Sequence, residues 1–100
     1  MADSQVVRNA AESRYELTLD GQLAKLEFRE VGGRLALVHT EVPEELGGQG
    51  IGGKLARAAL DDAFDRELLV VPYCPFVRSY LERHPEIEKR QAIDWPDLDA

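Results

Sequence analysis

The chain is 100 residues long, 44% hydrophobic, and carries 19 acids against 12 bases for a net charge of −7. That makes one domain with a modest core, and the acidic balance argues against nucleic acid, which wants a basic face; it fits a basic partner such as a small amine or a lysine-bearing peptide, and fits plain solubility equally well. The single cysteine excludes an internal disulfide, no apolar run approaches the roughly 20 residues that span a bilayer, and the polar first 13 residues lack the apolar stretch of a secretory signal, so the cytoplasm is the expected location.

Residues 1–13 show no clear period and are expected to fray as a flexible N-terminus. Tyr15, Leu17 and Leu19 then alternate with Glu16, Thr18 and Asp20, which is strand spacing with one buried face. Asp20-Gly21 is a two-residue hairpin signal, since both residues tolerate positive φ. The next run mirrors the first, with Ala24, Leu26 and Phe28 on one side and Lys25, Glu27 and Arg29 on the other. Gly32-Gly33 marks a second turn, and Leu35 to Val42 reads as a third, more central strand that Pro43 stops. The period then changes. Ile51, Leu55, Ala59, Leu60, Ala63 and Phe64 fall on one helical stripe, with Lys54, Arg57, Asp61, Asp62 and Asp65 covering much of the rest. Leu68 to Val71 is a short apolar run of strand type. Phe76, Val77, Tyr80 and Leu81 suggest a second short helix ending before Pro85. The expected architecture is α+β: a three-stranded antiparallel meander, then helix, strand, helix, over residues 14–87. Residues 88–100 are a tail expected to be mobile, with the position of Trp95 open.

Between the third strand and the helix lies Leu46-Gly47-Gly48-Gln49-Gly50-Ile51-Gly52-Gly53-Lys54-Leu55. Five glycines in seven positions are unfavourable unless the backbone needs unusual dihedrals or close approach. At a helix N-terminus, free N–H groups and the helix dipole together favour an anion, and a diphosphate would fit. The bland alternative is a tight strand-to-helix turn. Gly-Lys-Ser/Thr is absent, so this is no P-loop, and the βαβ frame of a dinucleotide fingerprint is missing too.

The segment from Pro43 to Leu55 resembles the acetyl-CoA loop of the GNAT acetyltransferases, whose pattern is Arg/Gln, two variable residues, Gly, one variable residue, then Gly/Ala. Gly50 and Gly52 match the two glycines, and Gly47 replaces the leading Arg/Gln. With His39-Thr40-Glu41-Val42-Pro43 before the loop and Val71-Pro72-Tyr73-Cys74-Pro75-Phe76-Val77 after the fourth strand, the chain is similar to the small single-domain, YjdJ-type GNAT-like N-acetyltransferase family over roughly residues 14–87. The resemblance implies a truncated GNAT-like fold, a mixed sheet in which the strand ending near Val42 and the strand Leu68–Val71 run parallel and splay apart. It implies acetyl-CoA as acyl donor. Val42, Gly47, Gly48, Gln49, Gly50, Ile51, Gly52, Gly53, Lys54 and Cys74 would hold it, with Arg57 within reach of phosphate oxygens or simply solvated.

Three side chains are candidates for chemistry. Cys74 lies just past the fourth strand, where it would accept the acetyl group, line the pantetheine channel, or simply be a small buried residue. His39, late in the third strand, is the best general base because its ordinary pKa lies near neutrality, and it is equally a structural histidine. Tyr80 matches the tyrosine that, by the resemblance, protonates the departing CoA thiolate; core packing is the alternative. Glu41 is a weaker base candidate, and His84 suits a helix cap or the surface. A carbonyl-polarising backbone N–H is expected near Val42. His39, Cys74 and His84 lack metal-ligand spacing, so no metal is expected. The expected activity is acetyl transfer to an amine; a non-catalytic CoA-binding sensor or accessory protein, and a plain interaction module, stand beside it. No surface stripe demands dimerisation, and a monomer is the expectation.

Overall fold

Alternating side chains set the sheet. The computed structural model describes residues 6–97. Its strands are β1 (Val7–Asn9), β2 (Arg14–Leu19), β3 (Gln22–Val31), β4 (Arg34–Glu41) and β5 (Leu69–Pro72), and its helices are α1 (Ile51–Asp65) and α2 (Pro75–Arg83). The sheet order is β1-β2-β3-β4-β5, antiparallel up to β4 and parallel between β4 and β5. The β2–β3 and β3–β4 hairpins close through Asp20-Gly21 and Gly32-Gly33, whose φ angles are all positive. That is the twist-matched two-residue turn expected from the sequence.

The strand β1 departs from the expectation of a frayed N-terminus; residues 1–5 lie outside the described residues. Three residues with Val7 and Arg8 both exposed leave no alternation to read. The strand is held by backbone pairing to β2 and by Arg8, whose guanidinium reaches Glu30 and lies 5.2 Å from the centre of the Phe28 ring.

Tyr15, Leu17, Ala24, Leu26, Phe28, Leu35, Leu37 and Val70 form the inner face of the sheet, and α1 and α2 both pack there. The helix α1 offers Ile51, Leu55, Ala56, Ala59, Leu60 and Ala63, so small alanines let its backbone approach the sheet while Leu55 and Leu60 fill the space. Fully burying one such leucine contributes about 1.5–3 kcal/mol. Phe64, expected on this stripe, is 42% exposed and lies under the Arg90 guanidinium at 4.6 Å instead. Its neighbour Ala63 takes the inward position.

The C-terminal segment also departs from expectation. Ile93 bridges to Val70 in parallel, with Val70 N–H donating to Ala92 and Asp94 N–H to Val70. Arg34 pairs with Asp94, and the Trp95 indole donates to Glu88 while the Arg78 guanidinium lies over its ring. The outer edge of β5 is therefore covered, which removes an unpaired row of backbone groups. No helix of the described residues covers the outer face of the sheet.

Candidate functional site

Two local irregularities open the sheet between β4 and β5. The parallel ladder ends at Leu37 opposite Pro72, after which Tyr73 and Cys74 both donate their N–H groups to the Leu37 carbonyl and the chain turns into α2. Meanwhile β4 continues to Glu41, paired only with β3. Against β3, its register shifts between Glu27 and Phe28: Phe28 faces Leu37 but Glu27 faces His39, leaving Val38 as the extra residue of a bulge. A bulge moves every later side chain to the opposite face. Thr40, opposite core residue Leu26, therefore points inward, and His39, opposite Glu27, is exposed on the outer face.

A cleft of about 370 Å³ sits at this opening, lined by Thr40, Val42, Leu46, Gly47, Gly48, Gly50, Ile51, Gly52, Gly53 and Phe76. Leu46 anchors the loop in the core, at the end of a short 3-10 turn over Glu44–Leu46. The backbone turns at Gly48 and Gly50, with φ of 79° and 70°, to bring the start of α1 to the cleft. Gly50 is the N-cap of α1, and no side chain caps the helix. Its first turn carries no acid, and the intrahelical bonds begin with Lys54 N–H to Gly50 at 3.1 Å. The earlier N–H groups and the positive end of the dipole thus face the cleft uncompensated. Free donors at the positive end of a helix dipole favour an anion.

The glycines of this loop have separate reasons. A Cβ on Gly52 would lie 2.7 Å from the Phe76 ring, so this glycine seats α2 against α1. A Cβ on Gly47 would lie 3.2 Å from the Glu44 carbonyl, a local reason for glycine where the GNAT pattern has Arg or Gln. Lys54 is half-buried in the first helical turn, with no ion-pair partner among the described residues. Gln49 is exposed. Arg57 is turned to other work: the Tyr80 hydroxyl, and next the Asp61 carboxylate, raise its guanidinium pKa above the ordinary value.

Cys74 is buried directly before α2, and its Sγ is 3.1 Å from Thr40 Oγ1. Thr40 thus belongs both to the cleft lining and to the environment of the sulfur. Tyr80 is buried, its ring against Gly53 and stacked on His84 at 4.3 Å between centroids. His84 caps α2 and faces Glu86, and Glu41 is held by Lys25. The structure therefore lines one cleft with Val42, the glycine loop and Thr40, sets Cys74 in contact with Thr40, and puts His39 on the other face of the sheet. Among the described residues no cluster of three or more His, Cys, Asp or Glu could hold a metal.

Thr40, Leu46 and Phe76 were not singled out by sequence. Thr40 is hidden by the bulge, which strand alternation does not reveal. Leu46 stands in the sequence only as the start of the glycine loop, and Phe76 only as a residue of the second helix.

Comparison with known proteins shows the family. The profile of the GCN5-related N-acetyl-transferase family matches residues 14–90. Protein NATD1 of Gallus gallus is 33% identical over 84 residues, 81% of this chain and 76% of that protein. Protein NATD1 of Mus musculus is 38% identical over 63 residues, which is 62% of this chain but only 57% of the mouse protein. The solution structure of a GCN5-like protein from Staphylococcus aureus superposes with a TM-score of 0.70 at 25% identity, covering 99% of this chain and 96% of that one. The chain belongs to the GCN5-related N-acetyltransferase family.

Proposed function

We propose that the protein binds acetyl-CoA in the cleft between β4 and the start of α1 and transfers the acetyl group to an amine. The observation that carries this reading is the uncapped N-terminus of α1, entered through Gly48 and Gly50 and opening onto the cleft beside β4, beyond the point where its parallel ladder with β5 ends. The N–H groups of Ile51, Gly52 and Gly53 hold the diphosphate, and Lys54 adds a cation one turn further on. The thioester extends along the edge of β4 that β5 leaves free beyond Leu37, where a backbone N–H near Val42 polarises its carbonyl as preorganised electrostatic stabilisation requires. Cys74 is buried beside Thr40, which lines this path. His39 is placed to act as base only on an acceptor that approaches from the open outer face, since the amine must lose a proton as it is acylated.

A second reading is favoured by one observation. The outer face carries no helix among the described residues, so an acceptor there meets only the exposed sheet and the C-terminal segment around Asp94 and Pro96. A CoA-binding protein without transfer activity has the same cleft and needs no further wall.

The test is an NMR titration of the labelled protein with acetyl-CoA and, separately, with CoA. Saturable shifts at Gly47 to Lys54 and around Thr40 and Cys74 are expected. Absence of shifts at millimolar ligand would leave the glycine loop as a structural turn and refute both readings.

A further inference from the structure

We infer that a groove on the outer face of the sheet is the acceptor site, and that it takes an amine whose other end is a carboxylate held away by an apolar spacer. The inference rests on the acetyl-CoA reading above and names the class of acceptor.

The groove follows from the strand register. Arg29 pairs with Ala36 and Ala36 with Val71, so the three form one row across β3, β4 and β5. Each alternates with core residues and so faces away from α1 and α2. Ala36 and Val71 floor a hollow of about 450 Å³, with Tyr73 and Pro96 also in its lining. Val71 faces outward yet is only 6% exposed, because the segment that leaves the Val70–Ile93 bridge runs beside it. The C-terminal segment is thus a wall of the groove as well as a cover for the edge of β5. The apolar floor, small at Ala36, suits a hydrocarbon spacer.

Most of the charge in the lining is already spent. Arg34 is held by Asp94, and Asp97 also has a partner. Arg29 is exposed and has no ion-pair or hydrogen-bond partner among the described residues, so its guanidinium is the charge left for a ligand, and it favours a carboxylate. The hollow on the other side of Arg29 is lined by Glu12 and Glu27, which would repel that carboxylate. Towards the far end of the groove, Tyr73 donates its N–H to the Leu37 carbonyl at 3.0 Å, where β4 and β5 part. The free edge of β4 begins there, and His39 faces outward on the same strand. Strands about 4.8 Å apart put Arg29 and Val71 about 10 Å apart at Cα, with Tyr73 further on. An α-amino acid, whose amine and carboxylate share one carbon, is too short for this span; an ω-amino acid fits it. A zwitterion also escapes the repulsion that a chain of net charge −7 exerts on an anion. In the transfer, the amine nitrogen bonds to the acetyl carbon. The carbon–sulfur bond of the thioester breaks with its electron pair going to the CoA sulfur, and the amine proton leaves through His39 to solvent.

The experiment compares 6-aminohexanoate, its isomer norleucine, and hexylamine, which has no carboxylate. Release of CoA from acetyl-CoA gives kcat/KM for each, in the unmodified protein, Arg29→Gln and Ala36→Leu. 6-Aminohexanoate should exceed both others, hexylamine by about fivefold, the upper range for an exposed ion pair. Arg29→Gln should erase that preference, whereas a merely structural loss would lower both acceptors and keep their ratio. Ala36→Leu fills the floor and should lower 6-aminohexanoate and hexylamine together. Equal kcat/KM for 6-aminohexanoate and hexylamine, norleucine matching 6-aminohexanoate, or a preference that survives Arg29→Gln overturns the inference. So does turnover of none of the three by protein that binds acetyl-CoA. An NMR titration with 6-aminohexanoate, with and without CoA, reads the groove apart from turnover. Saturable shifts at Ala36, Val71 and Tyr73, weakened in Arg29→Gln, are expected, and their absence also overturns the inference. Failure of acetyl-CoA to bind shows separately, as a lack of shifts at the glycine loop, and refutes the acetyl-CoA reading itself.

Discussion

The Phe76 ring lies over the Cα of Gly52 so closely that a Cβ there would meet its Cζ at 2.7 Å. Both residues line the cleft, so this contact shapes the site as well as the α1–α2 interface. Gly52→Ala gains helix propensity of up to about 1 kcal/mol, but the ring must swing outward. Phe76 is already 37% exposed and can move. We expect little change in melting temperature for Gly52→Ala, with acetyl-CoA binding weakened because the displaced ring narrows the cleft. Gly52→Val adds two more carbons and should cost about 1–3 kcal/mol of stability, as overpacking does. Thermal melts and NMR titrations of both variants check this, and an unperturbed titration in Gly52→Val would contradict the placement of the ring.

Gly50 has open space around its missing side chain, so only its backbone angle resists substitution. With φ at 70°, an alanine there should cost about 1–2 kcal/mol. Asparagine tolerates this region better and should restore most of the stability. Both variants should bind acetyl-CoA less well if the loop cradles phosphate, because the αL turn aims the first N–H groups of α1. Urea melts together with the CoA titration separate the two effects. Weak binding in the stable Gly50→Asn protein would reflect lost access to the backbone, not unfolding.

The hairpins, the amphipathic α1 and the glycine loop were legible because each rests on a local rule: alternation, a Asp-Gly or Gly-Gly turn, or an apolar stripe at helical spacing. The site was legible only in outline. Counting by twos from Leu35 and Leu37 puts His39 on the inner face, and the single extra residue Val38 cancels that count. Nothing in the local sequence announces the bulge, so Thr40 could be found only from the register with β3. The strand β1 and the tail were missed for a related reason. Their order comes from long-range partners, Glu30 for Arg8, Arg34 for Asp94 and Val70 for Ile93, while their own residues carry no period.

Tyr15 is 2% exposed, and its hydroxyl donates to Asp62 Oδ2 at 2.7 Å. Burial, and next the hydrogen bond to Asp62, raise the phenol pKa above its ordinary value of 10.0. The neutral phenol is the form the fold favours. Its contribution is complete below the unfolded-state pKa, near 10, and is lost as the pH rises above it. The melting temperature should therefore fall at alkaline pH. Tyr15→Phe should lower stability by about 0.5–1.5 kcal/mol near neutrality and flatten the alkaline fall. Melts between neutral and strongly alkaline pH for the two proteins give the comparison; an equally steep fall in Tyr15→Phe would assign the alkaline loss to other groups.

Gln91 ties the C-terminal segment to β5. It is 4% exposed, and its Nε2 donates to the Leu68 carbonyl at 2.8 Å and to the Ala92 carbonyl at 2.9 Å. The two acceptors fix the amide's orientation, because the reverse placement would set oxygen against oxygen. Its Oε1 is buried and has no hydrogen-bond partner among the described residues, so the amide already bears one unmet acceptor. Gln91→Leu removes that acceptor but also takes the side-chain donor from the buried Leu68 carbonyl, while the Ala92 carbonyl keeps its bond from the Val70 N–H, and should cost about 1–3 kcal/mol. Gln91→Glu should be worse near neutral pH, since a carboxylate would face both carbonyls with no donor. Protonation gives it one O–H donor and removes the charge, so its deficit should shrink as the pH falls. Gln91→Leu should show no such change relative to the unmodified protein. Parallel deficits for the two variants across the pH range would mean that the amide N–H groups, and not burial of charge, set the loss.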